Sequence, residues 1–446
     1  RHKRTHTHTH TYTHKHTRID LAMSMLTLGS SLAAAAALPA ASAAFSFASI
    51  GDWGGATIKD GDDYHKASEV AVAKEMGTWG EEMGFQFVLN TGDNFYYCGV
   101  HNITDAQFKE TFEDIYTDKS LMVPWYGVLG NHDYAYDTKA QMQYKSPNND
   151  RWQLQDYYWS KRVLLGGNQY LTIIFIDTNP CIQSYRNDSP SGWDPCSGQF
   201  GECKQGPEQK CYFHDHIVAQ DCSAQFAWFQ KALKAVPEDD WLFVVGHHEA
   251  DQINVEDFTG AMLTSKMALY LNGHTHAMKR YQIDGRTDMD FMTTGAGCMI
   301  RTLDQETCKA GEACAAGSEQ NKHMATQIFY KKVSAFSVHT FADDFSSLTT
   351  KFIDATGNII YQFVTQKPGS GPAPSPSPSP APTPSPAPSP TGSCKAFKCN
   401  TYRPGRSCQC NSACRYHEDC CPDYFRECGK EADTMAAGEE EEAVVV

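Results

Sequence analysis

Basic residues are scarce in this sequence, and beyond its first fifty residues it has no long apolar run. Its 38 Lys and Arg against 53 Asp and Glu leave a formal charge of -15 over 446 residues, a balance that argues against nucleic acid as a partner. Phosphate esters are not excluded, because bound cations reverse the local field. With no later stretch near the roughly 20 apolar residues a bilayer span requires, no membrane span is expected in the mature protein. The first 17 residues alternate Thr with His (His6, His8, His10, His14, His16) and have almost nothing apolar to bury. Residues 1–22, which open at Arg1 rather than Met, read as an artefactual or disordered tract rather than a His-rich metal site. An uncharged Leu- and Ala-rich stretch over 23–43 ends in Ala41-Ser42-Ala43, which predicts a cleaved signal peptide.

Cysteine, by contrast, is abundant. Seventeen occur, eight of them between Cys394 and Cys428, a density that belongs to an oxidising compartment. The expected location is secreted or extracellular, or an acidic compartment of the secretory route. Two acceptor tripeptides for N-glycosylation, at Asn102 and Asn187, agree with that.

Apolar runs at 45–50, 85–90, 125–129, 170–176, 241–245, 267–271 and 290–294 read as strands, and 64–83, 105–116 and 224–235 as helices. Later runs at 335–339, 348–353 and 359–364 alternate at period two, as antiparallel strands do. Five short blocks, each a Gly beside a metal-type ligand, fall just past strand ends: Gly51-Asp52-Trp53, Gly92-Asp93-Asn94-Phe95-Tyr96, Gly130-Asn131-His132-Asp133, Gly246-His247-His248 and Gly273-His274-Thr275-His276. Open α/β sheets place ligands there. A lone Gly-Asp-Trp means little, and any single His has a satisfied core histidine as its ordinary reading. The two imidazoles of Gly273-His274-Thr275-His276, at i and i+2 past a strand end, converge more pointedly. Two Asp, one Tyr, one Asn and three His, with no Cys among them, suit iron, manganese or zinc acting on phosphate oxygens. Tyr96, beside Phe95 and Tyr97, has a core-packing reading of its own.

In order and spacing these blocks resemble the purple acid phosphatases of the calcineurin-like metallophosphoesterases, closest to the small tartrate-resistant type, over about residues 45–365. The resemblance implies an α/β fold of two mixed β-sheets sandwiched and flanked by helices. It places Asp52, Tyr96 and His276 on a ferric ion and Asn131, His247 and His274 on a second ion, Fe(II), Zn or Mn, with Asp93 bridging. Tyr96 as phenolate on Fe(III) would give the purple colour. It implies hydrolysis of phosphate monoesters at acid pH by in-line attack of hydroxide held by the metals, with His132 binding phosphate or protonating the leaving group. The animal members carry a further histidine downstream of Gly246-His247, where this chain has Glu256 and Asp257. His248 is the candidate substitute, with a packing or surface role as its alternative.

A phosphodiesterase or nucleotide pyrophosphatase of the same superfamily, or a scaffold or adhesion protein acting through the C-terminal module, are the competing functions. Nine cysteines fall in the catalytic part, and five of them (Cys181, Cys196, Cys203, Cys211, Cys222) lie in an insertion that also contains Trp193, His214 and His216. Disulfides that pin loops are expected, with one thiol left over.

Residues 45–366 form the expected catalytic domain. Residues 367–392 repeat Pro with Ser or Ala, a polyproline II spacer that at roughly 3 Å per residue reaches about 75 Å. Residues 393–428 carry Cys394, Cys399, Cys408, Cys410, Cys414, Cys420, Cys421 and Cys428 and then only an acidic tail, 429–446. Their pattern, with the adjacent pair and Asp423-Tyr424 after it, resembles the somatomedin B domain. That implies a small disulfide-rich module with an extracellular protein partner. A zinc reading has only His417 and no paired C-x-x-C spacing to support it.

Overall fold

Fourteen strands organise the part of the chain that the computed structural model describes: residues 44–369 apart from 59–63, 148, 188–192, 198–202, 204–209 and 299–320. The expected signal peptide, N-terminal tract, linker from residue 370 on, C-terminal module and acidic tail, and Cys308 and Cys314, lie outside the described residues, while Lys367, at the start of the expected linker, hydrogen-bonds to Gln169 and the Asp239 carbonyl of the domain. In chain order the strands are β1 (Ser46–Ile50), β2 (Phe85–Asn90), β3 (Trp125–Gly127), β4 (Trp152–Gln153), β5 (Trp159–Gly166), β6 (Gln169–Phe175), β7 (Trp241–Val245), β8 (Leu269–Asn272), β9 (Met278–Ile283), β10 (Asp290–Thr294), β11 (Ala325–Lys331), β12 (Ala335–Phe341), β13 (Ser347–Asp354) and β14 (Ile359–Gln366).

They form two seven-stranded sheets, ordered β14-β13-β12-β1-β2-β3-β4 and β11-β9-β10-β8-β7-β6-β5. Both sheets are mixed. In the first, β1 to β4 are parallel and β12 to β14 antiparallel. In the second, β6, β7, β8 and β10 are parallel, with antiparallel neighbours outside them.

Side-chain alternation divides each strand between two cores. Phe47, Phe87 and Leu89 of the first sheet meet Ile173, Phe175, Phe243, Val245 and Leu271 of the second in the space between the sheets. The opposite faces, with Ala48, Ile50 and Val88, pack with Val72 and Met76 of the helix Tyr64–Met83. On the far side Ile174, Val244 and Tyr270 pack with Phe229 of the helix Cys222–Ala235 and Met262 of Phe258–Leu263. Helices therefore cover a two-sheet sandwich on both sides. This is why β1, β2 and β7 read as near-continuous apolar runs.

One expected helix differs in kind. Residues 105–116 form a π-type turn at Phe108–Glu113, and the buried Arg151 guanidinium donates to the carbonyls of Phe112, Tyr116 and Leu121 while pairing with Glu113 at 2.9 Å. Those carbonyls are thereby satisfied without a continuing helical ladder.

His339 on β12 is a satisfied core histidine. It lies fully buried between the Ser49 and Thr350 hydroxyls at 2.8 and 3.0 Å, its face 4.5 Å from Phe47. Burial lowers its pKa from 6.5 to about 3. Between those values the unfolded chain binds the proton and the fold does not, so stability present above pH 6.5 is lost as pH falls toward 3. At about 1.4 kcal/mol per unit, the loss near pH 5 is about 2 kcal/mol. His339→Gln should therefore lose about 2 kcal/mol less than the parent between pH 7 and 5, read from denaturant midpoints. Equal losses in the two proteins would contradict a neutral His339.

Candidate active site

The five glycine-containing blocks lie at or just past the C-terminal ends of β1, β2, β3, β7 and β8, in loops of both sheets, where open α/β sheets place ligands. Asp52, Asp93 and His274 take left-handed backbone conformations with φ of 55°, 52° and 68°, which cost a non-glycine residue about 1–2 kcal/mol each. Hydrogen bonds hold them there. The Asp52 N–H donates to the Gly92 carbonyl, the His274 N–H to the Asp52 carboxylate at 2.9 and 3.1 Å, and the His132 N–H to Asp93 Oδ1 at 2.9 Å. Gly92 must lack a side chain, because its φ is +94° and a Cβ would lie 2.7 Å from the Gly130 nitrogen and 2.8 Å from His247 Nδ1.

The side chains gather into two sets. In one, the Tyr96 hydroxyl lies 3.1 Å from Asp52 Oδ1, 2.9 Å from Asp93 Oδ2 and 3.2 Å from His276 Nε2. In the other, Asn131 Oδ1 lies 2.9 Å from both His247 Nε2 and His274 Nδ1. His247 Nε2 is also 3.4 Å from Asp93 Oδ1. Asp93 thus offers one oxygen to each set. Donor atoms about 2.1 Å from one cation stand about 3 Å from each other along a polyhedron edge, which is the spacing found here. All seven donors are hard or borderline, so the residues fit a pair of such ions.

A backbone carbonyl fixes the His247 imidazole. The Thr91 carbonyl, 2.8 Å from His247 Nδ1, can only accept, so Nδ1 carries a proton and Nε2 is the nitrogen left to face Asn131 and Asp93, where it could bind a cation. Charges are concentrated and buried. Burial raises the Asp52 pKa. Burial opposes ionisation of Asp93 too, but the His247 and His132 rings hold it well below the usual carboxylate range. Burial lowers His247, and the Asp93 carboxylate more than compensates, carrying it up to about 9. The Tyr96 phenol is pushed well above its ordinary value by burial and by Asp52 and Asp93. Only a strong cation among these groups would make it a phenolate.

Two histidines beside the donors differ. His132 Nδ1 donates to the Tyr97 carbonyl at 2.8 Å, and its ring lies 4.6 Å from that of Tyr96. His248, weighed in the sequence as a proton donor or a packing residue, has Nδ1 2.7 Å from the Thr178 hydroxyl and Nε2 3.1 Å from that of Tyr185. Its ring stands 4.3 Å from His274, and burial holds its pKa well below the ordinary value. With both nitrogens bound to hydroxyls, His248 braces His274.

Sequence reasoning missed several supports. Asp133 ties the second block to the third, accepting from the Asn94, Phe95 and Gly130 N–H groups and from Gln141. Burial, then the Asp93 charge, raises its pKa to about 7. Glu249 accepts from Thr275, which separates His274 from His276, and from the buried Lys279, both at 2.6 Å. A charge adjacent to a ligand block is the one sequence signal that could have drawn attention to either.

Three disulfides, Cys98–Cys203, Cys181–Cys222 and Cys196–Cys211, staple the insertion, and among the described residues Cys298 is a buried thiol outside any disulfide. Asn102 and Asn187 are exposed. Among the described residues no helix is long and apolar enough to cross a membrane.

Residues 45–278 match the calcineurin-like phosphoesterase family and residues 392–431 the somatomedin B domain. Tartrate-resistant acid phosphatase type 5 of Sus scrofa is 31% identical over 58% of this chain and 71% of its own length. Purple acid phosphatase 7 of Arabidopsis thaliana is 30% identical over 58% and 71%. A solved structure described as GAP50, the anchor in the inner membrane complex of Plasmodium, shares the fold, with a TM-score of 0.50 and 19% identity over 73% of this chain and 90% of that one. By the family match across more than half its length, and by these relatives, the chain belongs to the calcineurin-like phosphoesterases.

Proposed function

We propose that the site is a binuclear metal centre that hydrolyses phosphate monoesters at acid pH in a secreted protein. Fe(III) would occupy the Tyr96 set, and Fe(II), Zn or Mn the Asn131 set. The observation that carries this reading is the Tyr96 hydroxyl within 2.9–3.2 Å of Asp93, Asp52 and His276. The relatives' printed names, acid phosphatases, support the reaction. The disulfides and the somatomedin B match support export.

Two such ions, when bound, neutralise phosphate oxygens and lower the pKa of a water enough to supply the nucleophile. Asp52, Tyr96 and His276 would hold one and Asn131, His247 and His274 the other, with Asp93 setting their separation. His132 is the proton donor of this reading. With Nδ1 committed to the Tyr97 carbonyl, the proton that comes and goes is on Nε2. In a monoester's hydrolysis that proton passes to the leaving oxygen as the P–O bond breaks, leaving a neutral ring.

Metal analysis with a visible spectrum tests the assignment. The parent should contain iron and absorb in the visible, and Tyr96→Phe should lose that band while keeping its near-ultraviolet fold signature. A colourless, iron-free parent would remove the ferric assignment, and rates on a diester exceeding those on a monoester would remove the substrate class.

A further inference from the structure

Thr275 stands between donors of the two different sets, His274 beside Asn131 and His276 beside Tyr96. Whatever holds Thr275 therefore acts on both sets at once. Its hydroxyl donates to Glu249 Oε1, and Glu249 Oε2 accepts from Lys279 Nζ, each at 2.6 Å. Glu249 belongs to the loop after β7, two residues beyond His247, and Lys279 belongs to β9. That strand lies between β10 and β11, with Lys279 in register with Thr293 and Tyr330, so the ammonium is anchored inside the sheet. Glu249 and Lys279 are both buried.

A second path reaches the other flank of His274. The Ala250 N–H donates to the Tyr281 hydroxyl at 3.2 Å, that hydroxyl to Asn272 Oδ1 at 2.8 Å, and Asn272 Nδ2 to the Gly273 carbonyl at 2.8 Å. The Gly273 N–H in turn donates to the His247 carbonyl at 2.9 Å. The residues on either side of His274 are thus tied to the loop that carries His247, and His274 itself holds the left-handed φ of 68° that needs such a grip.

We infer that Glu249 is a positioning residue for both donor sets, fixing Thr275 against the Lys279 anchor so that His274 and His276 keep their separation. A turn of the backbone at Thr275 would change that separation, and two sets that must be met together leave little room for it.

This inference rests on the reading of the site as a metal centre, and metal retention separates the two. The probe is manganese(II), loaded into the full chain after its resident metal has been removed and then challenged with a chelator. The manganese that Asp93→Ala holds under the same treatment is the background. Thr275→Val keeps the volume and removes the hydroxyl. It should release the manganese above background about tenfold faster than the parent, while the two metal-free proteins melt together. Thr275→Ser, which keeps the hydroxyl, should behave as the parent. Glu249→Met/Lys279→Met removes both charges at once and strands neither. It should release manganese about tenfold faster as well, and adding Thr275→Val to it should change nothing further, because partners in one contact are non-additive.

A parent that holds no manganese above background removes the metal centre and the inference with it. If the parent holds it and Thr275→Val holds it equally well, only the positioning inference fails. A Thr275→Val that melts early without metal, or whose effect adds in full to that of Glu249→Met/Lys279→Met, acts through the fold and overturns the inference.

Discussion

Asp93→Ala should leave a folded protein with about one-thousandth or less of the parental kcat/KM on an aryl phosphate, on the scale expected when a group central to electrostatic stabilisation is removed. Every other donor serves one set, whereas Asp93 serves both, with Oδ2 2.9 Å from the Tyr96 hydroxyl and Oδ1 3.4 Å from His247 Nε2. Its removal also leaves the His132 N–H, now 2.9 Å from Oδ1, without that acceptor. Metal content per chain, measured on the same preparation, should fall by at least one equivalent. Asp93→Asn keeps the shape and discards the charge, so it should bind metal more weakly than the parent but hold the loop as the parent does. A tenfold or smaller loss in Asp93→Ala would contradict the bridging role.

Gly130→Ala should be nearly as severe, although it adds one methyl group. A Cβ there would stand 2.1 Å from Asp93 Oδ1 and 2.2 Å from the Asp93 nitrogen. Neither can yield cheaply, since the carboxylate is tied to the His132 N–H and the backbone nitrogen belongs to a loop pinned by Asp133. Overpacking of this kind costs about 1–3 kcal/mol, and a misplacement of about 1 Å at the reacting groups costs about a hundredfold in rate. Gly167→Ala is the comparison. Gly167, in the β5–β6 hairpin, has φ of +54° and nothing within 4 Å of its would-be Cβ. That substitution should lower stability by about 1 kcal/mol through backbone strain and leave kcat unchanged. Equal activity in the Gly130 and Gly167 variants would show that the close approach does not matter to the site.

β2, β7 and β10 were legible in the sequence to the residue, because parallel strands covered on both sides are dense in apolar residues, with Gln86 the one exposed position among the three. β5 and β9 were not. β5 runs along a sheet edge with Lys161 and Arg162 in its middle, while β9 carries Lys279 and Arg280, which are neutralised by Glu249 and Asp290 from elsewhere in the chain. A charge that finds its partner only in the folded state looks, in sequence, like a loop.

The seven donor residues were visible because each sits in a block with a glycine, and the glycines have a steric cause. What surrounds the donors was not visible. Asp133 and Glu249 act through contacts with residues far off in sequence, Asn94, Phe95 and Lys279 among them, and no periodicity records such a meeting. His248 illustrates the limit: adjacent to a donor, it has its ring partners in hydroxyls 63 and 70 residues away.

Asp52, Asp93, Tyr96 and Asn131 come from loops of one sheet, and His247, His274 and His276 from loops of the other. Any ion shared between the two groups is therefore a rivet through the seam of the sandwich, and its affinity registers how far apart the layers rest. Phe243 and its neighbours, deep between the sheets, hold the two layers whose loops carry these donors. A metal that binds only when the two loop groups are together would, in turn, stabilise the folded sandwich against unfolding.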